Sequence, residues 1–266
     1  MRNSSQASPF TALITGASLI FLFAPLFIVI LFSFHATPSL SFPFTGFSLR
    51  WYRQVLGSAE FRNAAYNSLI VGLASAGMTL VLGTMAAYGL SRISPRWQRL
   101  FTVLFFLPIT LPGLFLGLAL LVFFAQLEIH LSLATVTIAH LIYVFPYYLL
   151  IAKAALDRLD PALEETAADL GANSWAVFWR VTMPQIWSVL LGAASLAFAL
   201  SFDEFVITFF VIGSESTLPM FVWSGIRRTI DPSINTISTL LLVVTLLLFA
   251  VAFFLTLRRQ HTVAEA

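Results

Sequence analysis

The chain has 266 residues, of which 59% are hydrophobic and only 10% charged, and its mean hydropathy is +0.92. Soluble domains run about 45–50% apolar and about 25% charged, so this much apolar surface cannot be hidden in one water-soluble core, and a cytosolic enzyme and a disordered chain are both excluded. The net charge of +2 comes without the basic stripe that nucleic acid binding needs, and the absence of cysteine removes disulfides, thiolate chemistry and cysteine metal sites.

The composition predicts an all-α membrane protein with six transmembrane helices. A bilayer core ~30 Å thick needs about 20 apolar residues per helical span. In chain order the apolar runs are Ala12–Phe34, Ser68–Leu90, Phe101–Ala125, Leu131–Ala152, Val189–Ile212 and Ile237–Leu257, each of 21 to 25 residues. Backbone groups in lipid must be bonded internally, which together with run length selects helix over strand. The first run follows Arg2 and could be read as a signal peptide. Its 23 residues exceed the usual ~7–15-residue apolar region of such a peptide, and it reads as a retained anchor. Trp51 and Tyr52 follow it as aromatic anchors at the outer surface, with Trp223 before the last run. Pro25, Pro108, Pro112 and Pro146 predict kinks. Gly113 and Gly117, Gly72 and Ala76, and Gly83 and Ala87 are small residues four apart that let helices approach closely within the bundle.

Between the fourth and fifth runs lies a polar loop, residues 153–188, with five of the 12 acidic residues: Asp157, Asp160, Glu164, Glu165 and Asp169. Asp160 followed by Pro161 reads as an N-cap and a proline at the first helical position, where its missing N–H is no loss. Leu163, Ala167 and Leu170 form an apolar stripe, with Glu165, Ala168 and Asp169 on the opposite, free side. Gly171 can take the left-handed conformation that ends this helix, and Asn173 or Ser174 can cap a second, aromatic one containing Trp175, Phe178 and Trp179. Pro184 is predicted to stop that second helix before the fifth span.

The fifth run is interrupted by Asp203 and Glu204, the only acidic pair inside any span, at an insertion cost of about 2.5–3.5 kcal/mol per charge at the bilayer centre. On one continuous helix Ser201, Glu204 and Thr208 share a polar face, and at least one of the two acids is expected to line a passage for a cation. The bland alternative is that one or both bond to backbone or hydroxyl groups at a subunit interface, or sit at the outer water boundary. His140, inside the fourth run, reads as a hydrogen-bonded packing residue. With the N-terminus cytoplasmic, nine basic residues (Arg2, Arg92, Arg96, Arg99, Lys153, Arg158, Arg180, Arg258, Arg259) lie inside against five outside (Arg50, Arg53, Arg62, Arg227, Arg228), which predicts both termini inside.

The motif Glu165-Thr166-Ala167-x3-Gly171-x9-Val181-x-Met183-Pro184 resembles the EAA loop, E-A-A-x3-G-x9-I-x-L-P, of the membrane subunits of binding-protein-dependent ABC importers. Thr166, Val181 and Met183 depart from that pattern but keep similar size. Residues 200–210, Thr217-Leu218-Pro219, Ser224, Arg227, Pro232, Ile234 and Asn235 are similar to the second permease subunit of spermidine/putrescine importers. The resemblance implies a type I ABC importer permease, a single transmembrane domain over residues 1–266 in the bacterial inner membrane, forming half of a passage for a small organic solute such as a polyamine. It implies that Glu164, Glu165, Thr166, Ala167, Ala168, Asp169, Gly171 and Pro184 couple the loop to a cytoplasmic ATP-binding subunit. A second permease subunit completing a heterodimer, a periplasmic or lipid-anchored substrate-binding protein and membrane lipid are the other implied partners. Asp203, Glu204, Ser201 and Thr208 would belong to the substrate pathway.

The chain is expected to carry no catalytic or metal site and no cofactor, with ATP held by the partner. It has no G-x-x-x-x-G-K-[ST], and its lone lysine, Lys153, sits between alanines. His35, His130, His140 and His261 are scattered, and no HExxH occurs, which argues against an intramembrane enzyme. The remaining rival is a secondary ion-coupled transporter, which would more often show an internal repeat and ionisable groups on several helices.

Overall fold

A computed structural model describes residues 9–38, 43–228 and 231–247. Arg2, Arg258, Arg259 and His261 of the sequence reading lie outside these. Among the described residues the secondary structure is helical, apart from one isolated antiparallel bridge between His35 and Phe47. The helices are α1 (Pro9–Ser33), α2 (Arg50–Gly57), α3 (Ala59–Arg92), α4 (Pro95–Thr110), α5 (Gly113–Gln126), α6 (Leu133–Leu156), α7 (Pro161–Asp169), α8 (Ser174–Val177), α9 (Met183–Phe202), α10 (Val206–Val211) and α11 (Leu218–Arg228). A last apolar helix, α12, covers Pro232–Leu247.

Four helical stretches are long and apolar enough to cross a membrane: Phe10–Ser33, Ala59–Arg92, Leu133–Leu156 and Ser174–Phe202. A fifth crossing would be the pair α4 and α5, and here the sequence reading is corrected. The run Phe101–Ala125 is not one helix but two, bent by 103° at Leu111 and Pro112. Pro112 cannot donate to a preceding carbonyl and holds Leu111 in the extended region, so the helix stops rather than kinks. The sixth run is helical as far as Leu247, and its remainder lies outside the described residues.

The contacts divide the chain into two compact units, Met1–Phe61 with Val222–Val244, and Arg62–Phe221 with Thr245–Ala266. In the first, Trp51 is buried and its indole Nε1 donates to the His35 carbonyl at 2.8 Å. This corrects the reading of Trp51 as a surface anchor: its ring fills a core and its one donor is satisfied inside it. The Tyr52 hydroxyl pairs with Ser33 at 2.7 Å, and Thr236 of α12 donates to the Ser33 carbonyl at 3.1 Å, joining the end of α1 to the start of the last helix.

In the second unit α6 is the central post. Tyr148, Leu149, Ala152 and Leu156 of α6 pack with Ala87 and Leu90 of α3 and with Met183, Ile186, Leu190 and Ala193 of α9. Val136 and Ala139 of α6 pack with Leu116, Leu120 and Phe124 of α5 and with Ile207 and Val211 of α10. The small residues do what their spacing predicts. Gly83 lies under the Tyr148 ring, and a Cβ on Gly117 would stand 2.7 Å from Phe210 and 3.1 Å from the Ile207 Cα. The Tyr148 hydroxyl, deep between helices, is satisfied by Thr84 at 2.6 Å.

Candidate functional site

The polar loop folds as two helices meeting at a glycine. Asp160 caps α7 by accepting from Ala162 N at 3.0 Å, and Asn173 caps α8 by accepting from Ala176 N at 2.8 Å. Between them Gly171 has φ +88°, with Gly171 N donating to Ala168 O (2.9 Å) and Ala172 N to Ala167 O (3.0 Å). This pair of crossed bonds is the Schellman arrangement, which needs a left-handed residue at that position.

The face that α7 turns inward differs from the predicted stripe. Leu163 and Leu170 are exposed, as is Trp175 of α8, while Glu164 is largely covered. The reason is polar. The Glu164 carboxylate accepts from the Arg92 guanidinium at the end of α3 and from the Thr182 hydroxyl at 2.5 Å. Burial pushes this carboxyl up, but the Thr182 hydroxyl and then Arg92 pull it further down, leaving it below the ordinary carboxylate range. Glu165, Ala168 and Asp169 remain on the free side with Thr166, whose hydroxyl back-bonds to Ala162 O at 2.7 Å; Ala167 is half-buried. An acid edge and a patch of large apolar side chains are thus presented together. Lys153 is paired with Asp157 at 2.6 Å and takes no part.

Pro184 does not end the second helix. α8 passes through a π turn, Phe178–Thr182, into α9, and Ser174–Phe202 is one helical stretch of 29 residues. The wider turn lies just ahead of Pro184, where an α-helix would bring the proline ring against the Arg180 carbonyl, and the side-chain Nε2 of Gln185 donates to Val181 O at 2.7 Å. Pro184 therefore lies just after the π turn, whose wider register leaves room for its ring and its missing donor.

At the far end of α9 the predicted continuous helix is again corrected. α9 stops at Phe202 and α10 begins at Val206, so Ser201, Glu204 and Thr208 do not share a simple helical face. Glu204 turns back, its carboxylate accepting from Ile207 N at 2.8 Å. Ser201 and Thr208 are buried and both bond to His140 of α6, at Nδ1 (2.7 Å) and Nε2 (2.8 Å). Asp203 is exposed and has no hydrogen bond or ion pair from its side chain among the described residues. Tyr143 of α6 stands within electrostatic reach of both acids, and its ring meets Tyr147 edge-on at 5.7 Å. The packing role read for His140 is borne out. The sequence reading missed Arg92, Thr182 and Tyr143 as neighbours of these groups, and no spacing rule links residues 72 positions apart. Among the described residues no group of three His, Asp or Glu could hold a metal ion.

Residues 79–259 match the family described as "Binding-protein-dependent transport system inner membrane component". The chain is 32% identical over 243 residues to the putrescine transport system permease protein PotI of Escherichia coli K12, a match covering 88% of this chain and 86% of that one. It is 27% identical over 229 residues to the spermidine/putrescine transport system permease protein PotC of the same organism, covering 86% of each chain. Among solved structures, a bacterial ABC transporter involved in import of the acidic polysaccharide alginate superposes with TM-score 0.70 at 13% identity, over 94% of each chain, which is a likeness of fold.

Proposed function

This chain belongs to the binding-protein-dependent transport system inner membrane component family, and from that premise we propose that it is the polyamine-passing permease subunit of an ABC importer. Family membership makes it a multi-pass membrane transport component, and the secondary-transporter alternative is not favoured. The substrate class rests on the polyamine permeases it resembles along most of its length. The unpaired Asp203 carboxylate in the break after α9, with Glu204 and Tyr143 close by, suits a cation and would repel an anion.

The observation that carries the coupling role is the bent pair α7 and α8, fixed to α3 through Glu164 and continuous with α9. A cytoplasmic ATP-binding subunit docks on the edge formed by Glu165, Asp169, Leu163, Leu170 and Trp175, and movement there is carried into the bundle along α9. ATP is held by that partner, a second permease subunit completes the passage, a binding protein delivers the solute, and both termini lie on the cytoplasmic side. The test is uptake of labelled putrescine into vesicles holding this chain with the second permease, the ATPase and the binding protein produced with it. Uptake that requires hydrolysable ATP inside and loaded binding protein outside is the expected result. Uptake that persists without ATP and collapses with an ionophore would refute the importer reading.

A further inference from the structure

A broken helix inside a membrane leaves carbonyls at the end of one segment and N–H groups at the start of the next without intrahelical partners, and no bulk water is present to take them. At the break between α9 and α10 the Glu204 carboxylate accepts from Ile207 N and the Thr208 hydroxyl donates to the Glu204 carbonyl, and His140 and Ser201 extend the second of these into a chain whose hydrogen bonds can be given a direction. Thr208 Oγ1 lies 2.9 Å from the Glu204 carbonyl, which can only accept, so the Thr208 proton points there. The Thr208 oxygen is then left to accept, and it lies 2.8 Å from His140 Nε2, so that nitrogen carries the ring proton. In a neutral imidazole the other nitrogen is an acceptor, and Ser201 Oγ, 2.7 Å from Nδ1, donates to it. The result is a one-way chain: Ser201 O–H to His140 Nδ1, His140 Nε2–H to Thr208 Oγ1, Thr208 O–H to the Glu204 carbonyl.

The chain starts on the last turn of α9 and ends in the break before α10, and its side chains are 3% exposed (Ser201), 1% (His140) and 0% (Thr208). Glu204 is occupied as well, its carboxylate taken by Ile207 N. Of the polar side chains at the break, Asp203 alone is left exposed and unbonded among the described residues.

We propose that His140 is a positioning residue which, through this directed chain, staples α10 to α9 across the break and so keeps the Asp203 carboxylate free for a cationic substrate. The second half of that statement rests on the polyamine reading above; the first half does not. A glutamine at position 140 keeps one acceptor and one N–H donor on a side chain of similar reach, whereas leucine fills the space without either.

The test has two arms on the assembled complex in lipid. Solid-state NMR with ¹⁵N-labelled histidine, assigned by the resonances lost in His140→Gln, reads the tautomer. One proton on Nε2 is expected; a proton on Nδ1, or on both nitrogens, would overturn the staple. In the second arm His140→Gln and Thr208→Ser are expected to keep the wild-type maximal rate of putrescine uptake per assembled complex. His140→Leu and Thr208→Val should lower it about tenfold, the factor associated with losing a buried hydrogen bond, at unchanged KM for loaded binding protein. Equal rates in all four variants would overturn the positioning role. A wild-type complex that moves other solutes but no putrescine would refute the polyamine reading, and the tautomer would still decide the staple.

Discussion

Replacing Gly171 separates two reasons for having glycine between α7 and α8. Its φ of +88° is disfavoured for residues with a Cβ, yet nothing lies within 4 Å of where that Cβ would be. Within this chain the cost of substitution is therefore conformational and not steric, about 1–2 kcal/mol for alanine and less for asparagine, which visits the left-handed region more readily. At about 1.4 kcal/mol per factor of ten, the bent geometry would become about 5- to 30-fold less populated in Gly171→Ala. A β-branched residue should do worse. The assay is substrate-stimulated ATP hydrolysis and uptake by the assembled complex, with the expected order Gly, Asn, Ala, Val. If instead the glycine serves close approach by the ATPase, side-chain size governs and Ala outperforms Asn. Full coupling in Gly171→Ala and Gly171→Val together would refute the need for a left-handed bend.

Two further predictions concern the scaffold. Because the Glu164 carboxyl lies below its ordinary range, its contribution to holding α7 is fully present above the unfolded-state value and is lost as pH falls through the depressed folded-state value. Hydrogen exchange in the loop should rise over that acidic window in the wild type and show a flatter profile in Glu164→Gln; identical profiles would refute the assignment. Gly117→Ala places a Cβ against Phe210 and the Ile207 backbone and should destabilise the unit by about 1–3 kcal/mol. Gly113→Ala, with its nearest neighbour at 3.8 Å, should be close to neutral, and thermal unfolding in detergent measures the difference.

The sequence was most legible where the signal is local. Apolar run length marked the regions of the four helices long enough to cross a membrane, and Asp160-Pro161, Gly171 and Asn173 placed three helix ends through side-chain and backbone geometry that depends on a few neighbours only. It was least legible where a distant partner decides. Glu164 points inward because Arg92 and Thr182 wait there, and no amphipathic pattern in α7 shows that. Trp51 looked like an interfacial anchor because composition cannot reveal the His35 carbonyl that receives its N–H. The fifth run read as one helix because its residues are individually compatible with it; the break is made tolerable by His140, on another helix.

The stretch from Ser174 to Phe202 is continuously helical, with the bent loop at one end and Asp203 just beyond the other. From Thr182 to Asp203 is about 30 Å at ~1.5 Å per residue, so a tilt of about 5° pivoting on the π turn would swing the far end by roughly 3 Å. That is about the length of one hydrogen bond. The helix also has a phase. Adding one residue to α9 would advance its tip by only ~1.5 Å but turn whatever follows through ~100°, carrying Ser201 out of register with His140. The contact between Ser201 and His140 therefore depends more on the winding of α9 than on its length.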